Sequence, residues 1–401
     1  MTTPRIEPGA RVAIAGAGCA GTSIAVELVR SAPGVDITLF DADDAPPIDR
    51  TWCSWSVREH AFTDAISERW PRVRVRGNGR DTTCDTGPHP YVCIRGTDFF
   101  RLADERLEGN ATIHRSTRVL DANESADAIT LRVRKGDAER EERFDLLLDA
   151  RTDARPANDT PREPVLIQHF AGFEIDASGA DLDTGVVTLM DFDVPQETGA
   201  HFMYVLPFSD GTALVESTFM TPPGYRTPDY ESYAREYARR ELGLDRFDVR
   251  YRESGALPMT LAPLGPPPTA RTWPIGTRAG VGRASSGYAF DAIQLDTQRV
   301  VRALLDRKPR PRPPRSRLLS VLDRVLLSWL ADDPSVAPEI FATLFARCPT
   351  PALIRFLADR PSAGDLLATM WAMPKRRTVR HALTHPSAWP RPTPTLQADT
   401  P

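Results

Sequence analysis

The run Arg11-Val12-Ala13-Ile14-Ala15 enters the turn Gly16-Ala17-Gly18-Cys19-Ala20-Gly21, and Thr22 through Leu28 leave it with a helical pattern. Each glycine has a distinct task. Gly16 permits the tight turn, Gly18 lets the backbone approach a pyrophosphate, and Gly21 lets the helix pack closely on the strand. Ala17 and Ala20 are the small residues between them. Free amides at the helix start, together with its dipole, suit an anion. A second strand, Val35 to Phe40, ends in Asp41-Ala42, with Asp41 twenty residues after Gly21. A carboxylate at that place accepts hydrogen bonds from a ribose diol. Strand, turn, helix, strand and acid in register predict a Rossmann-type dinucleotide site. A glycine triplet alone would be a weak sign.

Bulk properties narrow the remaining choices. A chain of 401 residues holds two to three domains' worth of core. The net charge of −4 gives no electrostatic case for nucleic acid. Five cysteines without CxxC spacing argue against a disulfide framework or a zinc site and for a reducing compartment. The first residues run almost directly into the first strand, so no signal peptide is expected. Apolar runs stay short of the roughly 18–20 residues that cross a bilayer, and a cytoplasmic protein able to rest on a membrane is expected.

Past Asp41, a polar turn leads to Arg50-Thr51-Trp52-Cys53-Ser54-Trp55, whose tryptophans either line a cavity or anchor the loop. Residues 60–90 read as a small strand or helix excursion, and Tyr91 onward as a strand before a helix capped at Thr97 or Asp98. The alternation at 128–133 is a half-buried strand, and the continuous apolar run at Leu146-Leu147-Leu148 is a buried parallel strand that rejoins the nucleotide sheet. From about 160, short strands at 165–170, 185–193, 202–207 and 213–219 predict an antiparallel sheet, with a charged helix at 230–243. A second glycine cluster, Gly276 to Gly282 and Ser285-Ser286-Gly287-Tyr288, precedes a helix, as a flavin needs for its remaining phosphate and ribityl chain. Beyond a stiff Pro/Arg linker at 308–315, amphipathic helices are expected at 317–331, 336–346, 350–359 and 363–372.

These motifs together resemble the flavin-dependent lycopene cyclases, the bacterial β-cyclases above all. Arg50 to Trp55 is similar to the family's Thr-Trp motif after the ribose-binding acid, and Met190-Asp191-Phe192-Asp193 with Gln196 to the segment before the central strands. Tyr204-Val205-Leu206-Pro207-Phe208, leading to Leu214-Val215-Glu216-Ser217-Thr218, resembles the segment around the essential glutamate. Gly255-Ala256-Leu257-Pro258-Met259 and Gly276 through Gln294 complete the likeness. Two places depart from it: Pro46-Pro47-Ile48-Asp49 replaces a glycine pair, and Ala150-Arg151-Thr152 stands where a glycine is usual.

The resemblance implies an α/β fold. Its Rossmann-type FAD-binding domain is discontinuous (1–60, 90–160 and 270–307), with an inserted antiparallel-sheet substrate domain (161–269). A helical membrane-facing region (316–384) and a loose Pro-rich tail (385–401) follow. Implied cofactor contacts are Gly16, Ala17, Gly18, Ala20, Gly21, Asp41, Ala42, Arg50, Thr51, Trp52, Gly280, Gly282, Gly287 and Tyr288; no metal is implied. The implied activity is a redox-neutral isomerase or intramolecular lyase, closing β-rings on a linear polyene. Reduced FAD assists, NAD(P)H keeps the flavin reduced, and the hydrocarbon is reached at a membrane surface. Alkenes are very weak bases, so the acid must be a desolvated carboxyl kept protonated until use. Glu216 fits that role, the alternative being a glutamate on the wet side of its strand. Asp191 and Asp193 either tune Glu216 or face water. Competing readings are a flavin monooxygenase, which would usually carry Gly-Asp where this chain has Gly276-Thr277, and a non-catalytic carotenoid-binding flavoprotein.

Overall fold

The computed structural model describes residues 6–151 and 165–374. The expected loose tail, the basic Lys375-Arg376-Arg377 and Thr152 therefore lie outside the described residues. The chain opens with β1 (Arg11–Ala15), α1 (Cys19–Ser31) and β2 (Asp36–Phe40). Next come β3 (Thr51–Trp55), β4 (Glu68–Trp70), β5 (Arg72–Gly77), β6 (Arg80–Asp85) and β7 (Tyr91–Arg95). Then α2 (Gly96–Leu107), β8 (Ala111–His114), β9 (Arg118–Glu124), β10 (Ile129–Lys135), β11 (Ala138–Phe144) and β12 (Leu146–Asp149) follow. The second half holds β13 (Val165–Asp176), β14 (Val186–Asp191), β15 (Ala200–Pro207), β16 (Thr212–Thr221), α3 (Tyr230–Glu241), β17 (Val249–Thr260) and β18 (Thr272–Pro274). It ends in α4 (Phe290–Leu305), α5 (Arg317–Asp332), α6 (Ala337–Arg347), α7 (Thr350–Leu357) and α8 (Ala363–Ala372).

β1 lies at the centre of a parallel sheet ordered β18-β12-β1-β2-β8. Its period-2 alternation splits two cores. Val12 and Ile14 pack among residues of α1, α2 and α4, while Ala13 and Ala15 pack under the β9–β11 meander with Ile129, Leu131, Val133 and Phe144. The parallel pairing of β12 with β1 returns the chain to the nucleotide layer, as the apolar run at 146–148 predicts.

The second layer is a seven-stranded sheet, β17-β13-β16-β15-β14-β5-β6. Its outer strands β5 and β6 come from the 60–90 stretch that the sequence reads only as an excursion, and β5 runs parallel to β14. One face carries Met203, Val205, Ala213 and Val215 against α3. The other face looks toward the C-terminal helices, where Leu344, Phe345, Leu353 and Ile354 close over Val73, Val75, Leu206 and Leu214. β3, β7 and β4 form a small sheet between the layers. α2 begins at Gly96, slightly ahead of the expected cap, because the Gly96 amide already donates to Arg50 O at 2.7 Å.

Buried ion pairs hold the C-terminal helices in place. Arg283 binds Asp323 of α5 through Nε at 3.1 Å and Nη2 at 3.0 Å, both residues are almost fully buried, and Arg315 and Asp359 extend the cluster.

Candidate active site

At the nucleotide end, the geometry follows from local sterics. Gly16 has φ +94, a conformation that L side chains resist. A Cβ on Gly21 would sit 1.8 Å from the Gly16 carbonyl oxygen, so only glycine permits this contact of helix and turn. A Cβ on Gly18 would meet nothing within 4 Å. The start of α1 has no side-chain cap and no acidic residue in its first turn, and Gly18, Cys19, Ala20 and Gly21 border a long cleft. An uncapped, uncharged helix start of this kind is a ready anion site. Asp41 braces the turn from behind: its Oδ2 accepts the Ala17 amide at 2.7 Å and its Oδ1 the Asp43 amide at 3.0 Å. Arg115 Nη1, buried and without a hydrogen-bond partner, stands 3.4 Å from Asp41.

From there the cleft runs between the layers, with a cavity volume of about 350 Å³. That lies within the roughly 300–1,000 Å³ of an ordinary small-molecule pocket. Thr51 and Trp52 of β3 line it, as do Ser285, Ser286, Gly287 and Tyr288 of the second glycine cluster. Its far end is apolar, walled by Leu189, Met190, Phe202, Phe341, Leu344 and Phe345.

Glu216 lies on the floor of this apolar end. Tyr204 is its neighbour across β15, and Thr218 Oγ1 donates to Glu216 Oε1 at 2.6 Å. The side chain is 8% exposed. Burial, then the charge of Glu253, push its carboxyl well above the usual range, against the pull of the Thr218 hydroxyl. Phe202, Tyr204, Glu216 and Met220, at even-numbered positions of β15 and β16, line the cleft, while the odd-numbered face packs under α3; both faces of β16 are buried, so neither is wet. Tyr91, Tyr204 and Tyr288 meet beside it: the Tyr91 hydroxyl is 3.1 Å from that of Tyr204 and 2.8 Å from that of Tyr288. Burial raises all three phenols, which stay neutral.

The other expected site residues separate into groups. Gly18, Ala20, Gly21, Thr51, Trp52, Gly287 and Tyr288 line the cleft, while Gly16, Ala17 and Asp41 support the turn. Ala42 and Gly282 do not line it, and Gly280 borders a different groove beside the Pro/Arg linker. Arg50 points away, donating to Ser254 O at 2.7 Å and pairing with Asp49. Asp191 does not reach Glu216. A bulge in β14 turns both Leu189 and Met190 to the cleft and Asp191 to the opposite face. There it binds Arg76 Nη1 at 2.8 Å and accepts the Tyr237 hydroxyl at 2.9 Å. Asp193 is half-exposed beside Arg76. Trp52 both lines the cleft and packs on Phe99, whereas Trp55 packs on Tyr91. Thr277, Ser285 and Ser286, which the sequence places in the second glycine cluster without singling them out as cofactor contacts, also line the cleft, and Gly276 at φ +58, held against Ala20, makes that turn a close approach to α1.

A glycine turn opening a parallel sheet, a second layer of antiparallel strands and a cleft between them match the fold of solved flavoproteins. Klebsiella pneumoniae HpxO, solved with FAD and uric acid, has a TM-score of 0.63 at 15% identity, over 91% of this chain and 97% of its own. A flavoprotein/dehydrogenase from Cytophaga hutchinsonii has a TM-score of 0.63 at 12% identity, over 94% and 99%. Within that class the chain belongs to the lycopene cyclase family, whose model (lycopene cyclase protein) matches residues 11–383. The lycopene beta-cyclase of Paracoccus sp. (strain N81106 / MBIC 01143) is 28% identical over 90% of this chain and 94% of its own length. That of Pantoea ananas is 25% identical over 71% and 72%.

Proposed function

We propose that this protein closes β-rings on the ends of lycopene or a related linear polyene, without net oxidation or reduction. The observation that carries this reading is a buried carboxyl, Glu216, held in the acid form on the floor of an apolar cleft. Protonating an alkene needs a desolvated acid, and the cation that forms needs a wall without water. Glu216 gives its proton to a carbon of the terminal alkene, a neighbouring alkene attacks the resulting cation and closes the ring, and the carbon beside the new cation gives up a proton to the Glu216 carboxylate, which restores the acid. Phe202, Phe341 and Phe345 exclude water from that end, and Tyr204 and Tyr288 in the lining bring aromatic rings, which attract a cation, to the same cleft.

FAD fits the open start of α1, with Gly18, Ala20 and Gly21 at its phosphates, Asp41 behind the turn, and Ser285 to Tyr288 along its other half. When bound and reduced, it would supply negative charge beside the developing cation, with NAD(P)H needed to keep it reduced. Among the described residues no helix is long and apolar enough to cross a membrane. On α8, Leu367 (68% exposed), Met370 (53%) and Trp371 (74%) stand outside the helices that roof the cleft. They give the protein a patch with which to rest on the membrane that dissolves its substrate.

The test is expression of the wild type and Glu216→Gln in lycopene-accumulating bacteria, with the carotenoids identified by chromatography and absorption. Cyclised product from the wild type alone is expected. Unchanged lycopene with flavin-loaded wild type would reject the reading, and cyclisation by both proteins would reject Glu216 as the acid.

A further inference from the structure

Glu216 shares its face of the sheet with a second buried carboxyl. In the seven-stranded sheet, Gly172 of β13 pairs with Glu216 on one side and with Glu253 of β17 on the other. Directly opposed residues in adjacent strands share a face, so the two carboxyls flank a position that has no side chain. The gap is needed. A Cβ on Gly172 would lie 2.9 Å from Leu214 Cδ1, 3.2 Å from Glu253 Cγ and 3.4 Å from Glu253 Oε1. Glu253 is 6% exposed, and its Oε2 is buried without a hydrogen-bond partner. An unpaired buried carboxylate oxygen costs free energy and survives where it serves a purpose.

We infer that Glu253 is a positioning residue for the same reaction: set across Gly172, its carboxylate holds the proton on Glu216 between turnovers. This rests on the reading of Glu216 as the acid. Two carboxyls in one dry site resist double ionisation, so the charge of one favours the proton on the other. The surroundings divide the roles. Around Glu216 stand neutral groups: Thr218 on its own strand, Tyr204 of β15, Tyr91 and Tyr288, with Cys53 of β3 beside the phenols. Around Glu253 stand Tyr251 on its own strand and Asp49, Arg50 and Thr51 at the start of β3. Burial raises Glu253 to about 7, but Thr51 hydrogen bonding and the Arg50 charge draw it down, with Asp49 opposing them. Glu253 is therefore the one that ionises first, and Glu216 the one that keeps its proton.

The test is an infrared titration of the full-length protein without substrate, following the carbonyl stretch of neutral carboxyls. In the wild type the two carboxyls, each identified by the band lost in Glu216→Gln or in Glu253→Gln, should ionise in two separate steps. In Glu253→Gln the Glu216 midpoint should fall by about one pH unit or more, and the alkaline limb of the cyclisation rate should move with it. Glu253→Asp keeps the charge and should return the midpoint part of the way. An unchanged midpoint in Glu253→Gln, or an equal fall in the Asp and Gln variants, would overturn the inference. Should Glu253→Gln fail to fold, a single wild-type ionisation step would also overturn it. So would an unmoved midpoint in Gly172→Ala, whose methyl group wedges toward Glu253. The expected midpoints in a protein that leaves lycopene unchanged would keep the pair and reject the cyclase reading.

Discussion

At the residue scale, the chemistry depends on what surrounds a carboxyl more than on its presence. Asp191 and Glu216 are both buried strand acids, yet Arg76 pairs with the first and the Tyr237 hydroxyl donates to it, while burial keeps the second in the acid form. The sign for stability follows from this. Glu253 is raised in the folded state from 4.5 to about 7, so its acid form folds without penalty below about pH 4.5 and ionisation costs stability as pH rises toward 7. Thermal melts should show the wild type losing more stability across that window than Glu253→Gln, by at most on the order of 3 kcal/mol. Parallel pH profiles for the two proteins would contradict it. The glutamate itself was legible in the run Ala213-Leu214-Val215-Glu216, but not the side of the strand it takes. That depends on the register of β16 between β13 and β15, which links residues far apart in the chain.

At the element scale, α1 offers two neighbouring glycines with opposite demands. Gly21→Ala places a methyl group against the Gly16 carbonyl and should lower the stability of the cofactor-free protein by several kcal/mol, read from denaturant unfolding. Gly18→Ala meets open space and should leave the cofactor-free melt nearly unchanged while weakening flavin binding at least tenfold, read from fluorescence titration. Equal effects on folding and binding in both variants would contradict this division. The first strand-turn-helix unit was legible because its signals are local: turn, period and acid all fall within residues 11–41. The β5–β6 hairpin was not. Its Arg72-Val73-Arg74-Val75-Arg76 alternation marks a half-buried strand, but its partner β14 lies far along the chain. The bulge in β14 was equally hidden, and it sends Asp191 away from the site.

At the scale of the whole molecule, the C-terminal helices complete the cleft wall, and the buried Arg283–Asp323 pair fastens them to the second glycine cluster. Arg283→Met leaves buried Asp323 with only the Ser285 hydroxyl and the longer Arg315 contact at 3.6 Å, and should cost about 3–5 kcal/mol in urea unfolding. A loss below 1 kcal/mol would show that Arg315 replaces it. The α8 patch makes a separate demand: Leu367→Ser with Trp371→Ser should reduce co-sedimentation with anionic vesicles severalfold while leaving the melting curve in place. Unaltered sedimentation would remove α8 from the membrane contact. The Arg72–Val186 pairing also bears on how the molecule is made. A ribosome releases β5 and β6 long before β14 exists to receive them, and β18 must follow before the parallel sheet has its outer strand. The nascent chain therefore carries unpaired strand edges through most of its synthesis, so its yield in cells should depend more on chaperones than on the strength of any one contact.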